Sequence, residues 1–256
     1  MDAGFYTAAA GMQLEFNLEN VLADNLANMQ TTGYKDRSLV QEAFQQQLTK
    51  LTNVAGTNGT TQSLVGTVGE APVVRDYGVD LTIGAPRYTG QSLDTMIAGD
   101  GFFTVKNGNQ TLLTRNGNFY RSAAGQLVTK EGYQVLDSTG KPIAVPAGTL
   151  TFERNGGLAV NGVASNVSLG LARLPAGQPV TRVGTSYYVG PGTKLAPGTA
   201  GVAVMQGYLE GSNVDLATQT TDLMAAQRTY QADSHMLQVE DEATGLAVTD
   251  LGKVAS

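Results

Sequence analysis

The 256-residue chain has no cysteine, a single histidine, and charged residues at only 15% of its positions. Without thiols there are no disulfides, no thiolate catalysis and no cysteine-ligated zinc. The absence leaves the compartment open, though it suits a protein that passes into an oxidising space. One histidine, His235, cannot build a multi-histidine metal site. Asp233 and Ser234 beside it make no triad, because close neighbours along a helix do not face one another. Basic character is also lacking, with a net charge of −6. That disfavours nucleic acid as a partner, which would need a basic stripe. It equally disfavours charge-driven adhesion to anionic lipid. No apolar run reaches the length of a transmembrane segment. The opening Met1-Asp2-Ala3-Gly4-Phe5-Tyr6 lacks a basic n-region and an apolar core, so no secretory signal is expected and the default location is cytoplasmic. No G-x-x-x-x-G-K-[ST] or G-x-G-x-x-G fingerprint opens a helix. No cofactor and no metal are expected.

What the chain does have is glycine, at 32 positions, and a hydrophobic content of 41%. Such a content belongs to a folded protein rather than a disordered one. The length allows one large or two modest domains. Helical patterning is confined to the ends. From Asp2 to about Asn28, Phe5, Ala9, Met12 and Phe16 form one stripe, and Leu14, Leu18, Leu22 and Leu26 form a second. Two stripes imply more than one neighbour. Gly11 costs that helix about 1 kcal/mol against alanine but permits a close approach. At the other end, Leu216, Leu223, Tyr230, Leu237, Thr244 and Leu251 recur every seven residues. Four on from each lie Thr220, Gln227, Ser234, Asp241 and Val248, a poor second core position. So narrow a stripe buries too little to stand alone, and the N-terminal helix is its expected partner.

Between the ends the pattern changes. Lys35 to Lys50 is glutamine-rich, with Phe44, Leu48 and Leu51 read as a short helix. Asn53 to Gly69 reads as a flexible or extended linker. From Ala71 to Leu209 short strand patterns alternate with turn signals. Asn107-Gly108-Asn109 and Asn161-Gly162 mark hairpins, and Asp137-Ser138-Thr139-Gly140 marks a turn. No βαβ alternation appears, so the sheet should be antiparallel. The expected fold is α+β, mainly β: an antiparallel central domain flanked by terminal α-helices that pair as a coiled coil. Its divisions are 1–35 for the N-terminal helix and signature and 36–70 for a partly helical segment and linker. The β domain takes 71–209 and the C-terminal helix 210–256.

Catalytic chemistry is sparse. Asp94 and Asp100 precede Phe102-Phe103, and paired acids can serve glycoside hydrolysis. Turn formation explains both, since Asp-Gly is a common turn dipeptide. No enzyme is expected. The competing reading is a secreted carbohydrate-binding or carbohydrate-cleaving β protein; a phage-tail-like or adhesin component is a third.

Short motifs favour another reading. Asn25-Leu26-Ala27-Asn28, with Thr32-Gly33-Tyr34-Lys35, is similar to the N-terminal signature of bacterial flagellar rod and hook proteins. Thr89 to Asp94, Gly99 to Phe103, Thr114-Arg115-Asn116-Gly117-Asn118-Phe119 and Gly132 to Leu136 resemble the family's central motif. Glu210-Gly211-Ser212-Asn213-Val214-Asp215 and Ala226 to Ala232 resemble its C-terminal signature. The matches run in the family's order over most of the chain. The resemblance implies a hook–basal body rod protein of the distal or proximal type, a structural subunit that assembles helically and carries motor torque to the hook. It implies copies of itself, other rod and hook proteins and the flagellar type III export apparatus as partners, and a place in the basal body rather than the cytoplasm. The expected assembly interface is Phe5, Met12, Phe16, Leu22 and Leu26 with Leu216, Leu223, Tyr230, Leu237 and Leu251.

Overall fold

The computed structural model describes residues 2–42, 47–52, 62–68, 73–174, 180–190, 193–195 and 201–254. Two compact units result. One comprises Met1–Asp24, Arg37–Gly78 and Ala217–Ser256; the other comprises Asn25–Asp36 and Val79–Leu216.

The first unit holds the two long helices. Helix α1 spans Asp2–Ala27 and α2 spans Leu216–Val254, and neither contains proline. Helix α1 buries Ala8, Leu14, Val21 and Leu22. Four strands join the helices: β1 (Arg37–Glu42), β2 (Gln47–Thr52), β3 (Gln62–Val68) and β4 (Val73–Val79). β1 pairs with β4, and β2 with β3. The short helix expected around Phe44, Leu48 and Leu51 is therefore corrected. Leu48 and Leu51 lie in β2 and pair with Thr67 and Ser63, while Phe44 falls outside the described residues. Thr49, Thr52 and Val40 favour a pleated partner, and a facing strand outweighs the weak helical preference of the glutamines. Residues 62–68 of the expected linker form β3.

The second unit is the β body. Its first strands are β5 (Pro86–Tyr88), β6 (Thr95–Ala98), β7 (Phe102–Asn107) and β8 (Gln110–Thr114). β7 and β8 form a hairpin closed at Asn107 opposite Gln110, with Gly108 supplying the positive φ of 58°. The far edge of β7 is shared. Leu171 and Ala172 pair with its first residues, and Gln134 and Val135 with its last. The second marked hairpin forms as expected, between Gly157–Val160 and Val163–Ser168, with Asn161 and Gly162 both at positive φ. Strand pairing throughout this unit is antiparallel.

Alternation along β7 explains the core. Phe103 and Val105 face one side with Ile97, Leu112, Phe119, Leu127, Leu158 and Leu171. Phe102 faces the other side with Leu113, Ala172 and Tyr188. Ring contacts tie each layer, with Phe103 edge-on to Phe119 at 5.1 Å and Phe102 to Tyr188 at 5.9 Å. Two helices and an antiparallel sheet-rich body make a mainly β, α+β architecture.

Candidate functional site: a buried clamp and an exposed helix face

The two end motifs meet inside the β body. The chain leaves α1 through tight turns, with Asn28 N–H donating to Asn25 O and Thr31 N–H to Asn28 O. Gly33 follows at φ 67°, where an added Cβ would lie 2.4 Å from the Asn116 nitrogen. Only glycine fits that approach. Gly33 N–H then donates to the Glu210 carbonyl at 2.8 Å. From the other end, Tyr208, Leu209 and Glu210 pair with Tyr88, Arg87 and Pro86 of β5.

Glu210 is the hub. Its Oε1 receives the Lys35 ammonium at 2.5 Å and the Gly84 N–H at 3.1 Å. Its Oε2 receives Arg115 Nη1 at 3.2 Å. Lys35 and Glu210 side chains are wholly buried, and Arg115 is 2% exposed. Two cations share one carboxylate, so backbone carbonyls carry the excess charge. Lys35 donates to Thr82 O, and Arg115 donates to Ile97 O and Gly99 O. The Arg115 guanidinium also lies 4.9 Å over the Phe102 ring. Burial pulls the Lys35 and Arg115 pKa values down, and the Glu210 charge opposes that pull without cancelling it. A buried triad of this kind adds little net stability, but removing the one carboxylate leaves two uncompensated cations and is costly.

Two further links surround the hub. Asn213 accepts the Asp36 N–H at 2.7 Å and donates to Asp80 O and Thr82 Oγ1, both at 3.0 Å. Tyr34 donates its hydroxyl to Asn25 Oδ1 at 2.9 Å and receives Arg182 Nη1 at 3.1 Å. Arg182 stacks over the same ring at 4.5 Å. Thus Asn25, Gly33, Tyr34, Lys35, Glu210 and Asn213 of the end signatures are brought together. Leu26, Asn28, Thr32, Gly211, Ser212 and Val214 are half-buried, while Ala27 and Asp215 are exposed. The glycine at 84 is required too, since a Cβ there would meet the Gly211 carbonyl oxygen at 2.0 Å. Sequence reading placed Arg115 in the central motif without giving it a role, and did not single out Gly84 or Arg182. The signal for Arg115 was an arginine in an otherwise apolar strand ending, Leu112-Leu113-Thr114-Arg115, where only a buried acid could balance it.

The first unit places the expected interface residues differently from one another. Leu22 is buried, and Met12, Leu26, Leu223, Tyr230 and Leu237 are half-buried; Phe16 and Leu216 are exposed. The side chains of Phe5 and Leu251 fall outside the described residues. Three on from the seam residues, Gln219 and Ala226 are buried and Asp233 and Glu240 half-buried; four on, Thr220 and Ser234 are half-buried and Gln227 and Asp241 exposed. At one of these levels Gly11 of α1 lies opposite, and its missing Cβ makes room for the Asp233 carboxylate. A different face of α2 stays open. Met224 is 61% exposed, Met236 58%, Val239 50% and Leu246 68%. At 3.6 residues per turn these four fall within about a third of the circumference, opposite Leu223, Ala226 and Tyr230.

Asp94 is buried and accepts Asn118 Nδ2 at 2.8 Å, whereas Asp100 is exposed. His235 is exposed on α2. Among the described residues no group of three or more His, Cys, Asp or Glu is placed to hold a metal, and no helix is long and apolar enough to cross a membrane.

The β body clamps both end signatures, and α2 carries uncovered apolar surface, features of a structural subunit. Three family matches agree. Residues 5–35 match the flagella basal body rod protein family, residues 96–164 the flagellar hook protein FlgE/F/G D1 domain, and residues 205–248 the flagellar basal body rod FlgEFG protein C-terminal family. The chain is 31% identical to the flagellar basal-body rod protein FlgF of Rhizobium meliloti, across 98% of this chain and 99% of that protein. It is 30% identical to FlgG of Agrobacterium fabrum, across 95% and 97%, and 29% identical to FlgG of Bacillus subtilis, across 93% and 94%. The chain belongs to the flagellar basal-body rod protein family, whose place is the hook–basal body complex of the flagellum.

Proposed function

We propose that this rod subunit assembles helically with copies of itself and with other rod and hook proteins, and so carries motor torque to the hook. The observation that carries the reading is the open apolar face of α2. Fully burying a Met, Val or Leu side chain is worth about 1.5–3 kcal/mol, so covering four that are half to two-thirds exposed gains roughly 4–7 kcal/mol per copy. Repeated along a shaft, that resists slip. Helices α1 and α2 pair as a coiled coil through Leu223, Tyr230 and Leu237, leaving the Met224–Leu246 face and Phe16 for the neighbour. In this reading residues 1–35 and 210–256 are the assembling ends, and 71–209 is the body. The subunit reaches the rod through the flagellar type III export apparatus.

The test is complementation of a strain lacking this subunit. Met236→Asp with Leu246→Asp should leave export intact and stop rod growth, seen as truncated basal bodies by electron microscopy and loss of swimming. Full-length rods and normal swimming by that double variant would remove the reading.

A further inference from the structure

The dipeptide Asn-Gly stands at Asn58, Asn107, Asn116, Asn155 and Asn161. Asn58-Gly59 falls outside the described residues. The other four differ in what holds the side chain. Asn116 Oδ1 accepts the Asn118 N–H at 3.1 Å, and Gly117 is packed so tightly that an added Cβ would lie 1.6 Å from the Thr95 carbonyl oxygen. Asn155 Oδ1 accepts the Gly157 N–H at 2.7 Å, while the Gly156 N–H is taken up by the Glu153 carbonyl at 2.9 Å. Asn161 is bonded twice to Thr149. Its Oδ1 accepts the Thr149 N–H and its own N–H donates to Thr149 O, both at 2.9 Å. Its amide also lies against Gly148, where an added Cβ would meet Asn161 Oδ1 at 2.4 Å. Asn107 is the exception. It is exposed at the tip of the β7–β8 hairpin, and among the described residues its side-chain amide makes no hydrogen bond. Gly108 stands in open space, with no atom within 4 Å of an added Cβ.

We propose that Asn107 is a self-modification site, at which the folded chain deamidates with water as the only co-reactant. The Gly108 backbone nitrogen gives its proton to solvent and attacks the Asn107 side-chain carbonyl carbon. A bond forms between that nitrogen and Cγ, the Cγ–Nδ2 bond breaks, and ammonia leaves with a proton taken back from water. The succinimide ring that remains is opened by one water at either carbonyl, giving aspartate or isoaspartate. Glycine at the second position leaves the attacking nitrogen unshielded and its backbone free to turn. Ring closure rotates the Asn107–Gly108 peptide, so the Asn107–Gln110 pair has to open first. That pair is the last of the β7–β8 ladder, and exposed ladder ends open at little cost. Asn161 sits in a hairpin of the same dipeptide but must also release both Thr149 bonds, which slows its reaction roughly tenfold or more. Either product adds one negative charge, taking the chain from −6 to −7. Isoaspartate also inserts a backbone carbon at the end of β7 and shifts the Asn107–Gln110 pairing.

The experiment holds the full-length folded chain in warm, mildly alkaline buffer made in heavy-oxygen water, then maps its peptides by mass spectrometry. The Asn107 peptide should gain an acid carrying one heavy oxygen, roughly tenfold or more faster than the peptides of Asn116, Asn155 and Asn161. The same chain in urea no longer holds Asn161 against Thr149, and there the Asn107 and Asn161 rates should come within a few-fold of each other. An Asn107 that stays unchanged in the folded chain, or any of the other three reacting as fast, overturns the assignment. An Asn161 that remains roughly tenfold slower in urea overturns it too, because the difference then comes from the neighbouring sequence and not from the fold.

Discussion

Glu210→Gln is the sharpest probe of the clamp. It preserves side-chain shape and removes one charge, leaving the buried Lys35 and Arg115 cations with only carbonyls for partners. Breaking a buried ion pair in this way costs about 3–5 kcal/mol. For a unit of this size each kcal/mol moves the midpoint by roughly 2–4 °C, so melting should fall by about 10 °C or more. Lys35→Met provides the contrast. It removes the ammonium that burial already disfavours and leaves Arg115 and Glu210 as a balanced pair. Its cost should stay under about 2 kcal/mol, since no uncompensated charge is left behind, unlike the loss of the one carboxylate that both cations share. The assay is thermal unfolding followed by tyrosine fluorescence, convenient because the chain has ten tyrosines and no tryptophan. Exchange of the Gly33 and Gly84 amides localises the loss, as both donate to Glu210. The charge argument is refuted if Glu210→Gln melts within about 2 °C of the parent, or if Lys35→Met costs as much.

Other perturbations test neighbouring parts. Gly33→Ala meets both a positive φ and the Asn116 backbone at 2.4 Å, so it should destabilise the β body by roughly 2–4 kcal/mol in urea titration. Tyr34→Phe removes the hydroxyl that links Asn25 to Arg182 and should cost about 1–2 kcal/mol by the same titration. At Asp137, burial pushes the carboxyl pKa up, but the Thr139 hydroxyl and the N–H groups of Lys141, Thr139 and Gly140 outweigh it and hold it below 3.8. Its contribution is thus present above that value and is lost as pH falls through the lowered one. Asp137→Ala should flatten this part of the acid denaturation profile, read by circular dichroism.

Much of the β body was legible because its turns are chemically specific. Asn107-Gly108 and Asn161-Gly162 supply residues that accept positive φ, and both hairpins form where those dipeptides stand. The helices were legible from their periodicity and freedom from proline. Leu48 and Leu51 were misread as helical because glutamine-rich segments carry little pattern, and a facing strand decides them. The inward place of Asp233 was hidden for a related reason: its carboxylate lies against Gly11 of α1, some 220 residues away in the chain. The clamp was half visible. Lys35, Glu210 and Asn213 stood in the end motifs, but nothing local tells Lys35 that its counter-charge is Glu210, or that Arg115 shares it. Pairings between such distant residues are fixed by sheet registry, here Glu210 opposite Pro86 and the approach of Gly33 to Asn116.

The chain's lack of cysteine permits a direct test of which face of α2 looks inward. Cysteines at Gly11 and Asp233 report the inward seam, and a single cysteine at Val239 with one at Phe16 reports the outward face. Each pair is treated with a short thiol cross-linker in purified basal bodies and run on denaturing gels. Gly11→Cys with Asp233→Cys should cross-link within one copy, and Phe16→Cys with Val239→Cys should give a ladder of linked copies. A ladder from the first pair, or linkage confined to single copies in the second, would contradict it.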